Sequence, residues 1–329
     1  MTESPLRWGI LGTGGIAALQ TSDLNANGFT VSAVGSRTQA SADEFASRWG
    51  IATAHGSYDA LVNDENVDAI YVSTPHPFHH ENALQALNAG KHVLVEKPFA
   101  MNAAQTREVV ELAEQKGLVA LEAMWTRYLP HMVHIRELLA DNVLGEIRTL
   151  IVDHLQDLPK DPKHRINDPA LGGGALLDLG IYPVSYAFDV LGVPNKIIAS
   201  GTMTATNVDA QVAMIFEYDD ARALLSTALD TRGPNTATIS GTNGRIEIDS
   251  VWYNPTTFTR FDRDGGVVEH YEHPVVGRGM QYQAWELERL VAAGVTGNDI
   301  LSPSQSIQIM EALDEVRRQI GLTYPGLDD

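Results

Sequence analysis

The first third of the chain alternates short β-branched runs with amphipathic stretches. Arg7–Leu11, Thr30–Gly35, Ala69–Val72, His92–Val95 and Val119–Glu122 read as strands. Ile16–Asn25, Ser41–Arg48, His79–Ala89 and Asn102–Lys116 read as helices between them. In the third of these helices Ala83, Leu84, Ala86 and Leu87 form an apolar stripe at helical spacing. Gly90 and Gly117 stand just past helix ends, where glycine tolerates left-handed backbone. Strand and helix in alternation predict a parallel sheet covered on both faces.

The rhythm changes after about Trp125. A helix over His131–Ala140 and a polar loop, Asp157–Pro169, lead to Gly172-Gly173-Gly174 and a second helical segment, Ala175–Val190. Strands then follow one another: Lys196–Thr204, Val208–Tyr218, Arg222–Leu229, Thr236–Gly241, Gly244–Ile248, Thr257–Phe261 and Val267–Tyr271. Asp219-Asp220, Asn243-Gly244 and Gly265-Gly266 mark hairpin turns. Tyr282–Ala293 and Ser302–Ile320 close the chain as helices. Consecutive strands predict an α+β half with a largely antiparallel sheet, so the chain is expected to combine an α/β Rossmann-type domain over 1–125 with an α+β domain over 126–329.

Composition narrows the chemistry. The 329 residues include no cysteine, which excludes disulfides, thiol nucleophiles and Cys-based zinc sites. The formal net charge of -19 disfavours nucleic acid as a partner. The same charge means that an anionic cofactor must be held by local amides and basic side chains. Met1–Leu6 is short and polar, and no apolar stretch suggests a membrane span, so a soluble cytoplasmic protein is expected.

Gly12-Thr13-Gly14-Gly15-Ile16-Ala17 follows a strand and opens a helix, the context in which this glycine pattern binds a dinucleotide. Gly12 allows the tight turn, Gly14 the approach of a pyrophosphate, and Ala17 close helix–strand packing. The second strand ends in Val34-Gly35-Ser36-Arg37, without the acid that would hold a ribose 2′-hydroxyl. Ser36 and Arg37 suit a 2′-phosphate instead, so NADP is expected ahead of NAD.

Ligands of open α/β sheets lie at the carboxyl ends of the strands. Three motifs fall there: Ser73-Thr74-Pro75-His76, Glu96-Lys97-Pro98 and Glu122-Ala123-Met124-Trp125. Lys97 could donate to a substrate or ribose oxygen, or be an ordinary exposed lysine. His76, His79 and His80 do not make a convincing metal set: Pro77 and Phe78 intervene, and Glu81 is the only nearby carboxylate. No metal is expected. In the second half Asp178 and Tyr182 stand four apart in an apolar run, hence on one helix face. Tyr182 could relay a proton, or be a core tyrosine satisfied by Asp178.

Together these residues resemble the glucose–fructose oxidoreductase/inositol dehydrogenase/MocA (Gfo/Idh/MocA) family over nearly the whole chain. Glu122–Pro130 and Gly173–Tyr182 look most like its dimeric dihydrodiol dehydrogenases and NADP-dependent D-xylose dehydrogenases. Many other members carry His where this chain has Tyr182. The resemblance implies hydride transfer between the nicotinamide and a carbinol carbon of a sugar or cyclic diol. Lys97 and Tyr182 are then the catalytic polar pair, with Asp178 orienting Tyr182 or binding a substrate hydroxyl. The expected cofactor set is Gly12, Thr13, Gly14, Gly15, Ile16, Ser36, Arg37, Ser73, Thr74, Pro75, His76, His79, Glu96, Lys97, Met124, Trp125 and Arg165. Trp125 would also wall the substrate, and His154 with Arg165 would add polar groups. The family's open sheet commonly forms a dimer interface, which implies a homodimer or a dimer of dimers. Two alternatives stay open: a sugar oxidoreductase that retains its cofactor, and a non-catalytic NADP-binding sensor, which would need neither Lys97 nor Tyr182.

Overall fold

A computed structural model describes residues 6–328; Met1–Pro5, most of the polar lead-in, and Asp329 lie outside the described residues. The chain forms two compact units. The first takes the described residues through Trp125 together with Val275–Ile307, and the second takes Thr126–Pro274 with the chain from Gln308 onward. The expectation of one continuous domain over 126–329 is therefore corrected.

Six strands build the first unit: β1 (Arg7–Leu11), β2 (Thr30–Gly35), β3 (Thr53–His55), β4 (Ala69–Val72), β5 (His92–Glu96) and β6 (Ala120–Ala123). They are parallel throughout, in the order β3-β2-β1-β4-β5-β6. This is the doubly wound order whose switch point lies between β1 and β4. Its helices are α1 (Gly15–Ala26), α2 (Gln39–Trp49), α3 (Tyr58–Val62), α4 (His79–Asn88) and α5 (Ala103–Lys116). Thr38 caps α2 by accepting the Ser41 amide, and Asn102 caps α5 by accepting the Gln105 amide at 2.8 Å.

Alternate strand residues serve opposite faces of the sheet. Trp8, Ile10, Val34, Tyr71, Leu94 and Leu121 share one core layer with Leu24 of α1 and Phe45 of α2. Leu11, Ile70, Val72, Val93 and Val95 join the other layer, with Leu61, Ala83, Leu87 and Val109. On the first face, Leu94 and Leu121 are covered by Ala284, Leu287 and Leu290 of a helix that arrives much later in the chain, Gln281–Ala293. That cover is the physical reason the returning segment belongs to this unit. Asp23 fixes its start by accepting the amides of Arg278 and Met280.

The second unit contains α6 (Pro130–Ala140), α7 (Ile181–Leu191) and eight strands. The strands are β7 (Ile147–Leu155), β8 (Lys196–Met203), β9 (Asp209–Glu217), β10 (Arg222–Ala228), β11 (Ala237–Gly241), β12 (Gly244–Ile248), β13 (Phe258–Asp262) and β14 (Val267–Tyr271). The sheet is open and mainly antiparallel, in the order β14-β13-β12-β11-β7-β10-β9-β8. Strand β7, which the sequence pattern did not mark, runs parallel to β10 at its centre. The returning helix is numbered α8, and α9 (Pro303–Ile320) is the last.

The expected helix over Ala175–Val190 divides into a π-helical turn, Leu176–Gly180, followed by α7. Contrary to expectation, the surrounding stretch Pro169–Leu191 is long and apolar enough to cross a membrane by composition. It is 83% buried over its most apolar window, as befits a core helix of this unit.

Candidate active site

In the first unit the carboxyl ends of β1, β4 and β5 lie side by side, because these strands are neighbours and parallel. Gly12, Ser73 and Lys97 follow those ends. Gly12 adopts φ +110°, and a Cβ there would meet the Ser73 hydroxyl oxygen at 2.9 Å. At Gly14 and Gly15 a Cβ would meet nothing within 4 Å, so the turn faces open space. Gly14 supplies no side-chain cap to α1, which leaves the first amides of the helix as donors. An open glycine turn before an uncapped helix N-terminus fits a pyrophosphate. Thr13 and Ile16 flank it, half-buried, and Ala17 is buried beneath it.

Ser36 is nearly buried, its hydroxyl 3.3 Å from that of Thr13. Arg37 is exposed beside Tyr58, whose hydroxyl burial pushes up in pKa against the opposing pull of the Arg37 charge. No carboxylate follows β2 here, and the guanidinium matches the charge of a 2′-phosphate.

The strand-end side chains divide sharply. Ser73 donates to the Leu11 carbonyl and Thr74 to Asn82 Oδ1, both at 2.9 Å, so their hydroxyls serve the fold. Pro75 is exposed, and His76 is 7% exposed. His79, expected to touch the cofactor, is corrected to a structural role. It has no exposed surface, and its Nδ1 and Nε2 lie 2.7 Å from the carbonyl oxygens of Pro98 and Thr74. Burial, with His76 nearby, lowers its pKa to about 3. The neutral ring donates to one of those carbonyls at a time. Either way it ties the Thr74 turn to the turn that carries Lys97, whose ammonium is close enough to act on it electrostatically.

Glu96 is buried and accepts the Tyr71 hydroxyl. Lys97 itself is half-buried. Met124 is 1% exposed and Trp125 5%, so little of either side chain is open to a ligand. The Trp125 ring lies under the Arg278 guanidinium, 5.7 Å away. Glu122, which opens the third strand-end motif, has a structural role that the motif does not announce. It is buried, accepts the Phe99 amide at 3.1 Å and the Ser306 hydroxyl at 2.8 Å, and so steadies the Lys97–Phe99 turn. Its signal was a carboxylate at the end of an otherwise apolar strand.

In the second unit Asp178 is 7% exposed and pairs with Arg165, whose two terminal nitrogens lie 3.3–3.4 Å from the carboxylate. Arg165 keeps half of its side chain exposed. Tyr182 is 8% exposed and stands edge-on to His154, with ring centroids 5.0 Å apart. Tyr253 stacks on His154 at 3.8 Å and leans on Tyr182 at 5.5 Å. His154 Nδ1 donates to the Leu179 carbonyl at 3.1 Å, and Nε2 accepts from the Gln156 amide at 2.8 Å. Both of its nitrogens are engaged, so it walls Tyr182 and is not an available pocket group. Tyr253 could be found from sequence only as part of an unplaced loop, because its relation to Tyr182 depends on sheet register. Among the described residues no group of His, Asp and Glu could hold a metal.

A doubly wound sheet, an open glycine turn and basic 2′-phosphate chemistry define a dinucleotide-dependent oxidoreductase. The chain belongs to the Gfo/Idh/MocA oxidoreductase family: residues 6–123 match its NAD-binding Rossmann domain and residues 132–247 its C-terminal domain. It is 34% identical over 334 residues to trans-1,2-dihydrobenzene-1,2-diol dehydrogenase of Mus musculus, covering 97% of this chain and 98% of the relative. The Homo sapiens enzyme of the same name is 35% identical with the same coverage. Among solved structures, a 3-ketoreductase from Actinomadura kijaniata in complex with NADP and TDP-benzene is similar at 26% identity. Its TM-score is 0.85, over 96% of this chain and 98% of that one.

Proposed function

We propose that the protein is an NADP-dependent dehydrogenase or reductase that moves hydride to or from a carbinol carbon of a sugar or a cyclic diol. The observation that carries this reading is the open, uncapped N-terminus of α1, flanked by strand ends that present Ser36, Arg37 and Lys97. The diol dehydrogenases, at 34–36% identity over nearly the full chain, support the substrate class. The NADP complex of the 3-ketoreductase supports the cofactor.

The bound nicotinamide supplies the hydride-accepting carbon. The α1 amides and Gly14 hold the pyrophosphate, while Ser36 and Arg37 hold the 2′-phosphate. Tyr182 as the phenolate, favoured by the Lys97 ammonium, takes the proton of the substrate hydroxyl, and as the phenol it returns that proton in reduction. Lys97 stabilises the negative charge that develops on that substrate oxygen. Asp178, held by Arg165, accepts a substrate hydroxyl. His154, Tyr253 and the apolar run around Tyr182 exclude water and fix its ring.

The test is a screen of aldoses, keto-sugars and cyclic diols with NADP and NAD in parallel, read by absorbance of the reduced cofactor. Tyr182→Phe should lower kcat by about 10²–10⁴-fold and leave NADPH affinity near wild type. Undiminished turnover in that variant would remove the proton-transfer assignment.

A further inference from the structure

The helical segment that carries Asp178 and Tyr182 does not cap itself: no side chain at its start accepts one of its first amides. The acceptor comes from elsewhere in the fold. Asp209, the first residue of β9, has no exposed surface, and its Oδ2 accepts the Leu176 amide at 2.6 Å. Its Oδ1 has no hydrogen-bond partner.

The preceding glycines are shaped around this contact. Gly174 lies at φ +116°, and a Cβ there would sit 2.0 Å from Asp209 Oδ1. At Gly173 a Cβ would sit 2.6 Å from the Ile166 carbonyl oxygen. Tyr324, also buried, donates its hydroxyl to the Gly173 carbonyl at 2.9 Å. The start of the segment is thus held at both polarities, the Leu176 amide by Asp209 and a carbonyl by Tyr324.

We infer that Asp209 is a positioning residue of the active site: it anchors the N-terminal end of the Leu176–Leu191 segment and so sets where Asp178 and Tyr182 stand. The inference rests on the proposed role of Tyr182. A buried carboxylate at the positive end of a helix favours the anion, and burial opposes it, which pushes the group up to about 7. The ionisable groups gathered at this end are Tyr324, with Arg317 and Asp328 beside it, and Asp178. Near neutrality Asp209 exists in both forms, and the anion is the stronger acceptor for the Leu176 amide.

The experiment uses the full-length enzyme with Asp209→Ala and Asp209→Asn, read by steady-state kinetics, NADPH binding and amide hydrogen exchange. Asp209→Ala should lower kcat by roughly 10²-fold through misplacement, with NADPH affinity unchanged. The Leu176 amide should exchange about tenfold faster or more. Asp209→Asn keeps one acceptor oxygen. It should recover much of the activity and lose the part of the pH–kcat profile that titrates near neutrality. The inference is overturned by wild-type exchange at Leu176 in Asp209→Ala, or by wild-type kcat in that variant. If Asp209→Ala does not fold, the pH profile of Asp209→Asn decides alone, and a profile that keeps its titration near neutrality overturns the inference. Survival of turnover in Tyr182→Phe would sink the catalytic reading separately, since amide exchange reports the anchor whatever Tyr182 does.

Discussion

At the scale of single residues, burial decides which of the candidate side chains can act. Arg37 is exposed and available to a phosphate, whereas His79 and Met124 are enclosed. Arg37→Ala should therefore raise KM for NADP by roughly 10–100-fold, the worth of a charge-assisted pair, and leave KM for NAD little changed. Equal effects on both cofactors would contradict the 2′-phosphate role. The histidines act on stability. His131 is buried with Nε2 3.2 Å from the Trp252 carbonyl, and burial lowers its pKa from 6.5 to about 4. A depressed folded-state pKa means that the stability it brings is present above 6.5 and lost as pH falls through about 4. Asp209 has the opposite sign: its raised pKa contributes stability below 3.8 that is lost as pH rises through about 7. Urea unfolding across this range should show His131→Gln losing less stability than wild type on acidification, and Asp209→Asn losing less on alkalinisation.

At the scale of elements, the strand–helix alternation was legible because each piece carries its own period, caps and glycine stops. Thr38, Asn102, Gly90 and Gly117 do locally what their types suggest. The short β3 and α3 carry too few residues to show a period, and two longer features also escaped. In β7 the inward residues Leu150, Val152 and His154 alternate with Thr149, Ile151 and Asp153, but an outward isoleucine and an inward histidine blur the pattern. The π-helical turn at Leu176–Gly180 also leaves no mark in side-chain periodicity. Helix α8 was recognised as a helix, yet its partner was not, since Leu287 and Leu290 answer an uncovered sheet face far away in sequence. Leu287→Ala should cost about 2–5 kcal/mol in denaturant unfolding. A loss below about 1 kcal/mol would mean the site repacks or was not core.

At the scale of the whole molecule, the open sheet presents a row of apolar side chains to solvent. Ile151, Leu224, Ile215 and Ile198 stand opposite one another across β7, β10, β9 and β8, each 39–51% exposed. A contiguous row of this kind supports the proposal of a homodimer through this face. Leu224→Lys with Ile215→Lys should shift the sedimentation profile from dimer to monomer, and an unchanged profile would place the interface elsewhere.

The sequence by itself determined the things that local chemistry encodes: the glycine turn, the basic end of β2, the strand-end Lys97 and the Asp178–Tyr182 pair. Tertiary structure decided which of these candidates are accessible, that α8 returns to the first sheet, and that Asp209 caps a helix 33 residues before it. These depend on burial and on contacts between distant segments, and neither quantity is written in the spacing of residues along the chain.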